Sequence, residues 1–353
     1  MHPAGHVYVT NGDVTRIACD AWLLPTARDF WVTAAFCHAV GLRREGPVPD
    51  APYSWQGQGV LHLDHLNGPD RPDLWLGDVG RHSGSDLAHY ARRAKEFIER
   101  ASARVRTEQP NLDRAPLLAL PVIGTGDGGQ RSRRGDLLAE LLPALYEAAE
   151  QHHCDLALVA YGSMMYAAAQ SARRRLEANL QPWNALSPDL RETGVTLAAL
   201  ARSGDLVVFL GAGTGAAAGL PMWRPLVRNV AKRLGIDDDA LASIEGLDPR
   251  DQATIIQRMN PAGFIDAVHA ELTSERPALL HYLLAALPVR EFVTTNFDTL
   301  FEVAACTADR QLAVLPGPAP SSAERWLLKL HGTIGSDLVL TRDDYLGASS
   351  RHV

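Results

Sequence analysis

Cysteine is scarce in this sequence, and what there is lies scattered. Cys19, Cys37, Cys154 and Cys306 stand 18, 117 and 152 residues apart. No C-x-x-C pair occurs, which excludes a Cys-paired structural zinc site and gives no disulfide framework. Thiols spaced this way read as core filler. Long apolar runs are lacking too: none approaches the ~18 residues of a transmembrane helix. The opening MHPAGHVYVTNGD has neither the basic start nor the apolar core of a signal peptide, so a cytoplasmic location is expected, with no membrane partner. A surplus of positive charge is missing as well. Lys and Arg number 34 against 41 Asp and Glu, a formal charge of −7. That argues against neutralising nucleic-acid phosphates as the main task, although a local basic patch is compatible with it. His152-His153-Cys154 does not read as a metal cluster. Adjacent side chains diverge on a helix or a strand, and no partner motif accompanies them, so no metal is expected.

What is present is the make-up of an ordinary folded chain. Apolar residues are 46% and charged residues 21% of the 353, which excludes disordered and collagen-like chains and suggests two domains. In the first half, strand-like segments at 6–9, 21–24, 73–76, 116–122 and 155–161 alternate with helical ones at 85–105, 136–152 and 167–180. In the second half the expected strands are 205–210, 291–294, 327–330 and 338–341, and the expected helices are 188–202, 223–234, 250–259, 261–273 and 277–287. Strands alternating with helices indicate layered α/β domains. The stretch from Gln181 to Pro188, rich in Pro, Trp, Asn and Ser, marks the junction. The expected domains are 1–180 and 188–353.

The second half holds the strongest local pattern, DLVVFLGAGTGAAAGLP. A buried strand leads into Gly211, Gly213 and Gly215, and glycines there let the backbone approach a pyrophosphate. A tight strand–helix turn without ligand would need similar glycines. Two more segments mark the ends of expected strands: Thr294-Thr295-Asn296-Phe297-Asp298 follows one, and Lys329-Leu330-His331-Gly332 sits at the end of another. Polar side chains at strand C-termini face the crevice where α/β sheets bind ligands. A lone histidine is more often a surface or core imidazole; three such strand ends in one domain carry more weight.

Together these segments resemble the sirtuin (Sir2) family over about residues 190–345. GAGTGAAAGLP is similar to its NAD-binding loop, TTNFD to its TQNID-type motif and LHG to its catalytic His-Gly. GLPMWRPLV, TTNFDTLFEVA and LVLTRDDY are closer to a bacterial SIR2-like subgroup that hydrolyses NAD in anti-phage defence. The resemblance implies that Gly211, Ala212, Gly213 and Thr214 cradle the pyrophosphate. It implies that Gly219, Leu220 and Pro221 begin a cofactor-covering loop with Arg224 nearby. Asn296, preceded by Thr295, would hold the nicotinamide ribose or the attacking water, Asp298 would bond the carboxamide, and His331 would be the general base. Thr295 and Gly215 replace the family's usual Gln and Ser. The two C-x-x-C pairs of sirtuin deacylases have no counterpart here. Family members also continue past a TRDDY-like segment, so the C-terminal domain is expected to be incomplete at Val353: a fragment, a pocket completed by another chain, or a degenerate site.

The first half resembles the macro domain, an ADP-ribose-binding α/β module, over about residues 5–175. Gly12-Asp13-Val14-Thr15 is similar to its GDIT-type turn and Asp20-Ala21 to the start of its second strand. Gly124-Thr125-Gly126 is similar to its second phosphate loop. Asp13, Gly124, Thr125 and Gly126 are therefore a second candidate nucleotide site. The family's Asn-rich segment is replaced by Leu23-Leu24-Pro25-Thr26, and its first glycine-rich loop has no match in 30–41. Arg131, Arg133 and Arg134 lie beside the second loop, either as a solvated helix start or as a phosphate contact.

The expected architecture is thus two three-layer α/β domains, an N-terminal macro-like one and a C-terminal Rossmann-like sirtuin one. The resemblances imply an NAD+ hydrolase releasing nicotinamide and ADP-ribose, with NAD as substrate and no metal. They imply regulation in bacterial anti-phage defence, with homo-oligomers or a defence partner chain. The alternatives are a non-catalytic NAD or ADP-ribose-binding regulator and an NAD-dependent ADP-ribosyltransferase.

Overall fold

A computed structural model describes residues 5–68, 71–80, 86–125, 131–180, 186–308, 310–318, 323–336 and 338–351. The chain divides into two units, the first made of Met1–Glu192 with Thr307–Asp309 and the second of Thr193–Cys306 and Arg310–Val353. Gly126, Asp127 and the 181–185 part of the expected junction lie outside the described residues. No helix among the described residues is long and apolar enough to cross a membrane.

The first unit is built on β1 (Val7–Asn11), β2 (Ala21–Thr26), β3 (Trp31–Val32), β4 (Gly46–Pro47), β5 (Val60–His62), β6 (Asp73–Asp78), β7 (Leu117–Pro121) and β8 (Asp155–Ala160). Six of these form one sheet in the order β1-β8-β7-β2-β6-β5. Only β5 runs antiparallel within it. The run Ala21–Leu24 in β2 and Leu156–Ala160 in β8 is buried throughout, as expected for strands covered on both faces. The helices are α1 (Ala88–Glu108), α2 (Arg134–Gln151) and α3 (Ser163–Leu180). Tyr90, Ala94, Phe97, Ile98, Ala101 and Val105 fall at three- and four-residue spacing on one face of α1 and join the core. Leu137, Leu138, Leu141, Leu142 and Leu145 do the same from α2.

The second unit contains α4 (Pro188–Ser203), β9 (Val207–Leu210), α5 (Gly213–Ala216), α6 (Trp223–Arg233), α7 (Asp238–Ile244), α8 (Pro249–Met259), α9 (Phe264–Leu272) and α10 (Leu279–Ala286). It continues through β10 (Glu291–Thr294), α11 (Leu300–Thr307), β11 (Ala313–Leu315), β12 (Trp326–Lys329) and α12 (Arg342–Arg351). Its sheet is wholly parallel in the order β11-β12-β10-β9. Helices α6 to α9 make a separate cluster around Leu226, Val230, Ile256, Phe264 and Val268. Asp237 and Asp248 cap α7 and α8 by accepting from Ala240 N and Arg250 N, and Pro249 opens α8.

Both units are α/β with parallel-dominated sheets. Where the sequence suggests a last strand at 338–341, the chain runs irregularly. Val339 N reaches His331 O, but Leu340 N and Thr341 N turn to the Asp344 carboxylate, which starts α12 instead. The glycine turn of 211–219 also holds one short helix, α5.

One residue ties three strands of the first sheet together. The Asp20 side chain is nearly buried and accepts from Leu117 N at 2.7 Å and from both Arg114 amino groups at 2.7 and 2.8 Å. Its backbone N–H reaches Leu117 O, and its carbonyl takes Asp73 N. Asp20→Ala leaves the half-buried Leu117 N–H without this acceptor and is expected to cost the first unit about 2 kcal/mol. The measurement is a lower urea midpoint at unchanged slope in the transition of that unit.

Candidate functional site

Strand register builds the site of the second unit. Thr294, the last residue of β10, pairs with Leu210 of β9 on one side and Lys329 of β12 on the other. Three adjacent parallel strands therefore end level, and their continuations meet at one edge of the sheet. Those continuations are Gly211–Thr214, Thr295–Asp298 and Leu330–His331. A cavity of about 130 Å³ lies there. Of the residues the sequence singles out, Ala212, Leu220, Pro221, Thr295, Asn296, Asp298 and His331 line it. Gly211 and Thr214 adjoin it through hydrogen bonds to Asn296. Gly219 supplies the left-handed turn (φ 82°) that returns the chain, with Leu220 N bonded to Gly215 O. Gly213 opens α5. Arg224 is exposed and stands off the cavity; its neighbour Trp223 lines it instead.

The polar groups have specific duties. Asn296 spends its amide N–H groups on Gly211 O at 3.0 Å and Thr214 Oγ1 at 3.1 Å. That leaves its Oδ1 to accept. Thr294 Oγ1, donating to Leu210 O, accepts from Asn296 N at 3.0 Å and holds the start of the loop. Asp298 is buried, and its Oδ1 takes Leu300 N, capping α11. Behind it, burial pushes the His281 imidazole below its ordinary value, opposed by the charge of Asp298. Phe297 between these two polar residues turns into the core of helices α6 to α9. Burial lowers His331 as well, against a hydrogen bond with the Thr295 backbone that favours the protonated ring.

Residues that carry no motif signal of their own complete the arrangement. The Lys329 ammonium is buried and donates to Phe297 O at 3.4 Å, Asp298 O at 2.5 Å, Glu302 Oε1 at 2.8 Å and Thr333 Oγ1 at 3.0 Å. It thereby binds the loop carrying Asn296 and Asp298 to the turn after His331. Burial raises the Glu302 carboxyl, and Lys329 pulls it back part of the way. Tyr345 of α12 reaches the cavity and sets its hydroxyl 3.3 Å from His331 Nε2. Their only sequence signal is position: Lys329 precedes the His-Gly, and Tyr345 belongs to the LTRDDY segment.

The first unit has a wider cleft, about 1290 Å³, at the C-terminal ends of β1, β2, β7 and β8. Asp13, Gly124 and Thr125 line it, together with Gly12, Thr26 and Arg134. Asp13 Oδ1 accepts from Thr15 N at 2.9 Å and Thr15 Oγ1 at 2.7 Å, which leaves Oδ2 for another partner. Gly124 has φ 86°, and a Cβ there would lie 2.7 Å from the Tyr90 ring. Thr26, in the place of the missing Asn-rich segment, donates inward to Gly77 O. Of the basic run, Arg133 pairs with Asp136. Among the described residues no group of His, Cys, Asp and Glu gathers as a metal set.

Residues 290–352 match the family model described as a SIR2-like domain. Among solved structures, the chain is similar to the Oceanobacillus iheyensis macrodomain with ADP, at 12% identity over 48% of this chain and 90% of that one, TM-score 0.36. The same macrodomain with MES bound shares 13% identity over 48% and 91%, TM-score 0.37. No curated protein matches the chain.

The buried ammonium is the site's most sensitive point. Lys329→Met strands the Glu302 carboxylate and removes the short bond to Asp298 O, while Phe297 O keeps Ile334 N, and is expected to destabilise the second unit by about 3 kcal/mol. Adding Glu302→Gln recovers part of the loss. Denaturant unfolding of the two single variants and the double variant gives the coupling energy.

Proposed function

We propose that the second unit cleaves the N-glycosidic bond of NAD+, releasing nicotinamide and ADP-ribose, and that the first unit binds an ADP-ribose-type nucleotide. The observation that carries this reading is the meeting of Asn296, Asp298 and His331 on one cavity beside the Gly211–Thr214 turn. The turn suits a pyrophosphate: a Cβ built on Gly211 or Gly213 meets nothing within 4 Å, so the backbone there is open to close approach. The cavity suits the smaller, nicotinamide-ribose end.

The chemistry comes from the groups present. Breaking the bond to the nicotinamide nitrogen leaves an oxocarbenium-like ribose and a neutral leaving group, so little acid assistance is required. Water supplies the hydroxyl of ADP-ribose, and its second proton must leave. Asn296 Oδ1, its amide N–H groups already spent, accepts from a ribose hydroxyl or from the water and orients it. Asp298 keeps one carboxylate oxygen for the carboxamide N–H₂. His331, held below its ordinary value by burial, is neutral near pH 7 and accepts the proton. Trp223 and Leu226 of α6, Leu272 of α9 and Phe297 supply the apolar side of the cavity. Regulated activity in bacterial defence, and action as an oligomer or with a defence partner chain, belong to the same reading through the sirtuin resemblance.

Nicotinamide release from NAD+ tests it. Asn296→Ala and His331→Ala are each expected to lower kcat by ~10²-fold or more. Binding of NAD+ without any release would leave a non-catalytic regulator, and transfer of label to a macromolecule would leave a transferase. The pH profile has a definite sign. A base whose conjugate acid is weakened works above that value, so kcat/KM should hold through pH 6.5 and fall only on the acid side of it. In the first unit, Asp13→Ala is expected to weaken ADP-ribose binding about tenfold in calorimetry, through loss of one charge-assisted hydrogen bond.

A further inference from the structure

Tyr345 closes the cavity over the ring of His331. Its hydroxyl lies 3.3 Å from His331 Nε2, and the two rings meet edge to face, 5.1 Å between centroids at 69°. The tyrosine is held in place from two sides. Asp344 Oδ2 accepts from Leu340 N at 3.1 Å and Thr341 N at 2.8 Å, which fixes the start of α12. The Arg250 guanidinium sits 5.3 Å from the centre of the Tyr345 ring. Arg250 is itself clamped by Asp248 through Nε and Nη2, both at 2.9 Å. A chain Asp248–Arg250–Tyr345–His331 thus runs from the first turn of α8 to the cavity.

The hydrogen bond between the two rings has a direction. The Tyr345 hydroxyl faces His331 Nε2, and in the neutral imidazole protonated on Nδ1 that nitrogen carries the lone pair. Burial pushes the Tyr345 phenol above its ordinary value, against the nearby Arg250. The phenol therefore keeps its proton and donates it to Nε2. The lone pair that the base needs is already engaged, and the group engaging it also lines the cavity.

We propose that His331 receives its proton through Tyr345: the ribose hydroxyl or water donates to the phenol oxygen while the phenol passes its own proton to Nε2. The substrate O–H bond breaks with its electron pair left on oxygen, a new O–H forms on Tyr345, and the old one is replaced by N–H on His331. The phenol is regenerated, and no other reactant is needed. A hydroxyl can accept and donate in the same step, which a lysine or arginine at this place could not do. The inference rests on the NAD-cleavage reading above and adds a catalytic residue to it.

Tyr345→Phe removes one oxygen and keeps the ring against Arg250. The expected result is a fall in kcat of about 10²-fold with KM nearly unchanged. Direct transfer to His331 would instead leave kcat equal to wild type or higher, and would overturn the relay. A second readout needs no turnover. Histidine NMR titration should show the His331 pKa rising by about half a unit in Tyr345→Phe, because a donor to the neutral ring has been lost. The other ionisable groups around this corner are Arg250 of α8 and its cap Asp248, Asp298 after β10, Lys329 at the end of β12 and Asp344 of α12. All are common to wild type and variant, so the shift reports the hydroxyl. An unmoved titration overturns the hydrogen-bonded pair. Failure of the wild type to release nicotinamide overturns the reaction and the relay together, while the titration still decides the pair.

Discussion

Lys329 ends a strand with its ammonium inside the protein, and two backbone carbonyls, a carboxylate and a hydroxyl converge on it. Placing a charge there is costly unless every donor is used. Here the donors are used on the segments that carry the site. Phe297 and Asp298 contribute carbonyls from the loop after β10, and Thr333 contributes the turn after His331. The loop after β10 and the turn after β12 are therefore fixed to each other as well as to the sheet. The level ends of the strands bring the site residues near one another; the ammonium sets their spacing.

The two units use their strand ends differently. In the second, a small cavity is lined by side chains of α6, α9 and α12, and Asn296 Oδ1 and one Asp298 oxygen are left to meet a ligand. In the first, a cleft about ten times larger in volume stays wide, and Asp13 keeps an oxygen unspent. A small cavity favours the orientation of reacting groups that bond cleavage requires. A wide cleft favours retention of a whole ligand. The roles proposed for the two units reflect this difference.

Much of the second site is legible in the sequence because it is local. Gly211 to Thr214, Asn296 and His331 each come directly after a short apolar strand, and parallel register does the rest. What stays hidden is tertiary. That Asp298 caps α11 with one oxygen, that Lys329 turns inward, and that Tyr345 meets His331 all depend on contacts between distant segments. Periodicity does not report such contacts. Arg224, which the resemblance places near the covering loop, is exposed at the start of α6, while its neighbour Trp223 points another way and lines the cavity. The expected strand at 338–341 has the right apolar residues, but Asp344 captures two of its N–H groups for a helix. In the first unit the buried strands and the faces of α1 and α2 are plain from their apolar spacing. The two-residue strands β3 and β4 are too short to leave a pattern.

Glycines that look alike in the sequence differ in what the fold asks of them. Gly124 is required twice, by a left-handed backbone and by the Tyr90 ring that a Cβ would strike. Any ligand-free descendant of this fold would still have to keep it, so its presence alone carries no news about binding. Gly211 and Gly213 face open space, and neither has a positive φ. Packing would let both drift to alanine at no steric cost. In a set of descendants that had lost the ligand, these two positions would diversify first while Gly124 stayed fixed. The order in which glycines are lost would then record when binding ceased.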